Sequence, residues 1–553
     1  MQTSASMMPM AVLAARAKKH PNKVYLRQPC NEEYVDTTWG EVFERASRIA
    51  QGLVSMGLKK GDKVSILASN CDEWFISDFA IQIAGMVSVP IYATAGESII
   101  EYVIDHSEAK AMIIGKLPKV ADTEAALKKH KDVITIGMDL CEIKTKHTLA
   151  DLVANNEMIA SVHEPEPEDT FSIVYTSGST GKPKGVVLTY TNISFQGSAC
   201  ADLLGRSKEE RLISYLPLAH VTERGVIEYS SLYGGAQVTF NESLETFLRD
   251  LREAKVTNFI SVPRLWVKFQ SEVLKAMPQE KLSRLIKIPI LGGIVKRKIR
   301  SQLGLSYSRS CGSGSAPISP HILEWYRKLG IKISEGWGMT ELAGLATTQF
   351  PFRRSKLGTI GVPLKGLDVK ISDQGELLIK GEGVFKEYYK NPEVTAETFT
   401  DDGYMRTGDK VDMDKEGYLR ITGRVKDLFK SGKGKYIAPV PIEGKLASNL
   451  IFDQMCVMGS GLPAAVCVAV LNEDAAQTMS REAIEASLSA TLDEVNASIE
   501  KHEVVANIII AKEQWTIDNG MLTPTLKIKR SELEAKYKDV IAQPGLPKIS
   551  WES

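Results

Sequence analysis

The feature that most constrains this chain is an alternation of helix-period and strand-period stretches. "TWGEVFERASRIAQGLVSMG" is followed by "KVSILA", and "ESIIEYVIDHSEA" by "KAMIIG". In the first of each pair apolar residues recur at three- and four-residue spacing; in the second, β-branched residues run together. Repetition of that pair specifies βαβ units, and hence parallel sheets covered by helices. A chain of 553 residues exceeds what one compact core supports, so at least two domains are expected. From about Gly358 the texture shifts to short strands and glycine-marked turns, with Asp414 to Gly417 reading as a hairpin turn. After Gly423 the alternation resumes on a smaller scale. The expected architecture is α/β. A large N-terminal domain, residues 1–423, holds parallel-rich α/β subdomains and a small β-rich one, followed by a small mobile α+β C-terminal domain, residues 424–553. One continuous α/β body is the alternative.

Two stretches bear on membranes. "WFISDFAIQIAGMVSVPIYA" contains Asp78, Gln82 and Pro90, and reads as a buried helix leading into a strand, not a bilayer span. "LIKIPILGGIVKRKIR", Leu285 to Arg300, sets an apolar run beside Lys296, Arg297, Lys298 and Arg300. A buried strand followed by a basic helix is the favoured reading; contact with an anionic membrane is the other. With 68 basic and 68 acidic residues, the chain has no charge excess of the kind nucleic-acid binders carry. Its seven cysteines form no C-x-x-C pair, and the basic residues near the N-terminus follow the apolar stretch, unlike a secretory leader. A reducing, cytoplasmic location is expected, with peripheral membrane contact as an option.

"YTSGSTGKPKG", Tyr175 to Gly185, has the composition of a phosphate-gripping loop, yet it is not a P-loop. Gly178 and Gly181 are too close together, and Pro183 stands where the magnesium-binding hydroxyl would follow Lys182. The flanks "FSIVY" and "GVVLTY" both read as strands, so the loop joins strand to strand. Thr176, Ser177, Ser179 and Thr180 offer hydroxyls, Gly178 lets backbone amides approach an anion, and Lys184 adds a point charge.

Further on come "EGWGMTE" (Glu335 to Glu341), "RTGD" ending at Asp409, "GRVKD" from Gly423 and "LTPTLKIKR" ending at Arg530. In this order they resemble the adenylate-forming superfamily of acyl-CoA synthetases, luciferases and peptide-synthetase adenylation domains. Through "YLPLAHVTERG" and "KDLFKSGKGKYIAPVPIE" the resemblance is closest to long-chain fatty acyl-CoA synthetases. It implies a reaction in two steps: a carboxylate displaces pyrophosphate from ATP to give an acyl-adenylate, then a thiol displaces AMP. It also implies ATP, Mg²⁺ and coenzyme A, with a medium- to long-chain fatty acid as substrate.

The resemblance assigns roles to particular residues. The nucleotide site would comprise the 176–180 loop with Lys184, the segment Ser315, Ala316 and Pro317 at adenine, and Glu335, Gly336, Trp337, Gly338, Met339 and Thr340. Within these, Trp337 lies against adenine and Thr340 near the α-phosphate, while Asp409 and Arg424 meet the ribose. Glu341 would hold Mg²⁺, with Thr176 or Thr180 as a further oxygen ligand. Where the family usually has tyrosine this chain has Trp337, which still stacks but lacks the phenol. His220 flanks the acyl pocket. Lys527 matches the lysine bridging carboxylate and α-phosphate, although Lys529 would share its face in an extended segment. Lys426 falls at the hinge, and Ser431, Gly432 and Lys433 lie in the loop expected to line the path of coenzyme A. No segment reads as a carrier domain with a serine attachment site. Expected partners are the fatty acid, ATP and coenzyme A, with no nucleic acid, in a monomer or homodimer. The rivals are another acceptor (a carrier protein, or a lactone-forming hydroxyl) and a catalytically silent nucleotide-binding homologue.

Overall fold

A computed structural model describes residues 7–31, 33–176, 182–205, 209–523 and 527–552. The largest sheet has eight strands. From the centre outward Lys63–Leu67, Val87–Ile91 and Thr170–Thr176 lie on one side, and Ala109–Ile114, Ile134–Gly137 and His147–Thr148 on the other, all parallel. Lys184–Thr189 and Glu387–Tyr388 then add antiparallel strands at one edge. The strand run of "WFISDFAIQIAGMVSVPIYA" is Val87–Ile91, preceded by the helix Asp72–Ile83, every residue of which is buried. That helix carries Asp78 into the core because Arg224 meets it there at 2.6 Å.

A second sheet has parallel strands Asn258–Ser261, Ser310–Ser313 and Ile333–Met339, continued antiparallel by Gly344–Thr348 and Val362–Pro363. The β-rich segment forms a four-stranded antiparallel sheet: Leu367–Ile371, Glu376–Gly381, Met405–Met413 and Leu419–Arg424. Its last turn is the expected one. The Gly417 N–H reaches the Asp414 carbonyl at 3.0 Å, and Gly417 adopts φ +83°, which glycine tolerates without cost. The strand carries the chain through Arg424, one residue past the boundary read from the sequence.

Beyond it, Phe452–Met458 and Ala465–Leu471 pair antiparallel, and Val505–Ile510 and Ile549–Trp551 extend the sheet in parallel. Two apolar clusters, built entirely from residues between Phe429 and Trp551, cover its two faces.

The buried strand expected within Leu285 to Arg300 does not form. Residues 286–290 turn instead, and Ile288, Pro289 and Ile290 are exposed. Pro289 has no N–H to give to a ladder. The chain then folds back so tightly that a Cβ on Gly292 would lie 2.5 Å from the Ile286 carbonyl oxygen. The basic helix does form, over Leu291–Gln302.

Candidate active site

The C-terminal ends of parallel strands are where open α/β sheets bind ligands, and the motif residues gather there. Thr176 ends its strand paired with Lys184, so the intervening loop leaves from a fixed antiparallel register. Ser177, Gly178, Ser179 and Thr180 fall outside the described residues. On the described side of the loop, Tyr102 donates its hydroxyl to the Pro183 carbonyl at 3.0 Å, and the Lys184 ammonium sits 5.0 Å above the Tyr388 ring.

Tyr388 also donates to Glu341 Oε1 at 2.7 Å, so the lysine and the carboxylate share one aromatic support. Glu341 is nearly buried, and its second oxygen has no hydrogen bond among the described residues. Hard oxygen donors, one of them a carboxylate, suit Mg²⁺, which is held by one or two protein oxygens together with phosphates and water. Among the described residues no cluster of three acidic, histidine or cysteine ligands exists, so Glu341 and Thr176 fit that sparse pattern and not a full protein cage.

The strand Ile333–Met339 delivers the next group. A register shift between Trp337 and Gly338 brings the backbone against Gly344, where a Cβ on Gly338 would fall 1.7 Å from a carbonyl oxygen. Only glycine fits there. The shift aims Trp337 so that its indole N–H donates to Asp409 Oδ2 at 3.0 Å. The hydrogen bond expected to be lost with the phenol is thus replaced by another, made by the indole. Arg424, opposite Asp409 in the four-stranded sheet, donates to its other oxygen at 2.8 Å. Burial raises the Asp409 pKa, and Arg424 opposes that rise. Glu335, one strand turn earlier, accepts the Gly358 N–H at 3.0 Å, and burial pushes its carboxyl up to about 8. The adjoining strand Ser310–Ser313 leads into Gly314, then Ser315 at φ +67°, Ala316 and Pro317, all on the cleft wall.

His220 caps the short helix Val221–Glu223: its Nδ1 accepts the Thr222 N–H at 3.3 Å, which leaves the proton on Nε2. Burial, and then the nearby Lys527, hold its pKa down to about 3, so it is neutral at any physiological pH. The turn is anchored by its own next residues. Arg224 is 1% exposed, and donates to Asp78 at 2.6 Å and to Ser172, in the strand leading to the 176–180 loop, at 2.7 Å. The stretch "HVTERG" by itself assigns no role to Arg224, because a buried arginine and a surface one look alike until Asp78 is in place.

Lys527 enters from the C-terminal sheet side, next to Leu522 and Ile528, which bridge antiparallel. It is reached by solvent through the cleft, yet desolvation and then Arg424 lower its pKa, while Asp409 and Glu341 act in the opposite direction. Residues more than a hundred positions apart therefore act on one ammonium. Lys529 also lines the cleft, and its backbone N–H is tied to the Met521 carbonyl at 2.8 Å. The cleft has a volume of about 3590 Å³. Part of its wall is apolar: Cys200, Leu204, Val226, Ile260, Val267 and Leu345. Lys426 is exposed in the turn after Arg424 and also lines the cleft. Ser431, Gly432 and Lys433 do not line it; Lys430 and Tyr436, at the base of their turn, do. Gly432 instead donates its N–H to the Leu462 carbonyl at 2.7 Å.

A profile for AMP-binding enzymes matches residues 13–389, and one for the AMP-binding enzyme C-terminal domain matches residues 427–544. The chain belongs to the AMP-binding enzymes, the adenylate-forming ligases that its motifs resemble. Its curated relatives include the long-chain-fatty-acid–CoA ligase FadD15 of Mycobacterium bovis, 29% identical with 95% of each chain covered. Fatty acyl-CoA synthetase A of Dictyostelium discoideum is 30% identical, over 90% of this chain and 84% of the relative. Among solved structures, the adenylation domain of a carboxylic acid reductase from Segniliparus rugosus superposes with a TM-score of 0.81 at 20% identity, covering 98% of this chain and 94% of that one. At that identity the likeness establishes the fold. In the ligase, no helix among the described residues is long and apolar enough to cross a membrane.

Proposed function

We propose that the ligase couples ATP to a medium- to long-chain fatty acid, forming an acyl-adenylate, and then transfers the acyl group to coenzyme A. The observation that carries this reading is the convergence on Lys527 of Asp409, Glu341, Arg424 and His220 beside an apolar wall. The curated relatives named as fatty acyl-CoA ligases support the choice of substrate class.

In the first step a carboxylate oxygen bonds to the α-phosphorus of ATP, and the bond to the bridging oxygen of pyrophosphate breaks. Both partners are anions, so the gain comes from positive charge aimed at the transition state in a site partly shielded from water. Lys527 supplies that charge between the carboxylate and the α-phosphate, with Thr340 donating beside it. His220, neutral with its proton on Nε2, donates a hydrogen bond toward the carboxylate instead of acting as a base. Trp337 covers the adenine against Ser315, Ala316 and Pro317, and the Asp409 carboxylate, oriented by Trp337 and Arg424, accepts from the ribose hydroxyls. Lys184 and the 176–180 hydroxyls take the outer phosphates. Glu341 and Thr176 would hold Mg²⁺, which when bound neutralises phosphate charge.

In the second step the coenzyme A sulfur bonds to the acyl carbon and AMP leaves. Lys527 and the thiol both need the same carbon, so the C-terminal domain, taken as residues 424–553, turns about Lys426 and brings Ser431, Gly432 and Lys433 to the cleft.

A panel of acids from two to eighteen carbons, assayed for AMP release with and without coenzyme A, tests the reading. The expected result is coenzyme A-dependent release that is strongest with the longer acids. Release with aryl or short acids alone would overturn the substrate class. Release independent of coenzyme A would point to another acceptor, and absence of fatty-acid-dependent pyrophosphate exchange to a silent homologue.

A further inference from the structure

The segment that failed to form a strand presents an unusual surface. Ile288 is 46% exposed, Ile290 85%, Leu291 39% and Ile294 56%, four large apolar side chains within seven residues. Ile290 occupies the centre of a tight γ-turn, at φ +66° and ψ −60°, closed by the Leu291 N–H on the Pro289 carbonyl at 2.7 Å. That is a conformation a β-branched residue rarely adopts, and it holds the side chain out from the protein. The following helix has two faces. Gly292, Val295 and Ile299 point inward, with Val295 and Ile299 against the core beneath the second sheet. Leu291, Ile294 and Lys298 recur at the same helical spacing on the other side, with Arg297 beside them.

The charge around these residues is one-signed. Lys281, Arg284, Lys287, Lys296, Arg297, Lys298 and Arg300 fall within twenty positions, and no acidic residue occurs from 281 to 323, in a chain whose overall charge is zero. Of these, Arg284 pairs with Glu280 at 3.7 Å, and Arg300 turns back to the Ser308 carbonyl at 3.2 Å. Lys287, Lys296, Arg297 and Lys298 have no ion pair among the described residues.

We infer that residues 284–298 are a docking surface for anionic lipid bilayers, in which the exposed isoleucines enter the interface and the flanking cations meet lipid headgroups. Apolar side chains backed by lysine and arginine are the chemistry that peripheral interfacial segments use. A second copy of the chain is a poor occupant, because a two-fold contact would set each cationic patch against itself. The helix Pro263–Ala276, whose Phe269 packs into the same core, lines the cleft with Val267 and Ser271, so docking by this face sets the cleft wall close to the bilayer. The inference does not depend on the proposed reaction.

Flotation of the full chain with phosphatidylcholine vesicles, and with equal mixtures of phosphatidylcholine and phosphatidylglycerol, tests it. Binding is expected to the mixed vesicles and not to the neutral ones, and to weaken as salt rises. The triple variants Ile288→Ser/Ile290→Ser/Ile294→Ser and Lys296→Gln/Arg297→Gln/Lys298→Gln should each lose at least about ten-fold in binding. All six positions lie outside the catalytic cleft, so adenylation of a water-soluble short acid and the melting temperature should match the parent. Failure of the parent to bind mixed vesicles overturns the inference. So does binding that ignores lipid charge, or that survives in both variants. A concentration-dependent dimer abolished by the isoleucine variant, without vesicle binding, would assign the face to a second copy instead.

Discussion

The two sides of the cleft are built differently. On the nucleotide side each functional group is held by a partner from another part of the fold: Trp337 by Asp409, Asp409 by Arg424, Glu341 by Tyr388, and the His220 turn by Arg224 on Asp78 and Ser172. On the other side Lys527 has no side-chain hydrogen bond among the described residues, and its backbone is tied locally, to Thr523 at 2.8 and 3.1 Å. The apolar clusters of the C-terminal region take in nothing before Phe429, and those of the rest nothing after Ile421. Across the divide run ion pairs such as Lys119 with Asp518 at 2.5 Å and Arg264 with Asp453 at 3.0 Å, all at least partly exposed. Pre-organised dipoles cost nothing to arrange at the moment of reaction. Exposed ion pairs exchange readily for water. That contrast is what the proposed turn about Lys426 requires, one side fixed and the other free to be delivered and withdrawn.

The sharpest break of that contrast is Lys527→Ala. It should lower acyl-adenylate formation by on the order of 10²-fold or more, and leave thioester formation from supplied acyl-adenylate intact. The same pattern in Lys529→Ala, with Lys527→Ala near normal, would move the assignment by two residues.

Lys426→Pro comes next. Among the described residues no acceptor takes the Lys426 N–H, so proline removes no hydrogen bond and acts by fixing φ. Pyrophosphate exchange should persist while acyl-CoA production falls on the order of 10²-fold. Parallel loss of both half-reactions at an unchanged melting temperature would show that this turn is no hinge.

Trp337→Phe keeps a ring against adenine but removes the donor to Asp409. The change should weaken ATP binding by about ten-fold or more, the worth of one hydrogen bond to a charged group. Both half-reactions should suffer, since AMP remains bound throughout; an unchanged KM for ATP would show that the indole N–H does not orient Asp409 for the ribose.

Glu335 sharpens the comparison through pH. Its folded pKa, about 8, lies above the unfolded value of 4.5, so the folded chain keeps a proton the unfolded chain releases. Stability from this group is complete below the unfolded pKa and is lost as pH rises through about 8, by a few kcal/mol at most. Denaturant unfolding should show Glu335→Gln losing less stability than the parent between about pH 5 and about pH 8. Equal slopes would place the proton elsewhere.

The smallest effect belongs to Arg264→Ala/Lys119→Ala, which should shift the balance between the half-reactions by less than about five-fold, and less still at high salt. A larger, salt-independent change would mean that these pairs lock the two regions together.

Much of this was legible in the chain itself. Periodicity announced the parallel sheets, and spacing set "YTSGSTGKPKG" apart from a P-loop, because both are local consequences of backbone geometry. The motif string led to the family, since Thr176, Glu341, Asp409 and Lys527 keep their order. The apolar start of Leu285 to Arg300 misled, because an apolar run carries no record of whether a partner strand waits for it. Arg224 and Tyr388 were silent for a related reason: their meaning lies in Asp78, Ser172 and Glu341, which the sequence holds far away.

The sequence by itself determined which groups are available and the order in which the chain presents them. Only the tertiary structure decided that Trp337 donates to Asp409, that His220 Nδ1 caps a short helix and that four apolar side chains meet solvent beside a basic helix. The reason is physical. Propensity and turn chemistry act over a few residues, whereas desolvation, charge coupling and a hydrogen bond's partner depend on whatever the fold brings within a few ångströms.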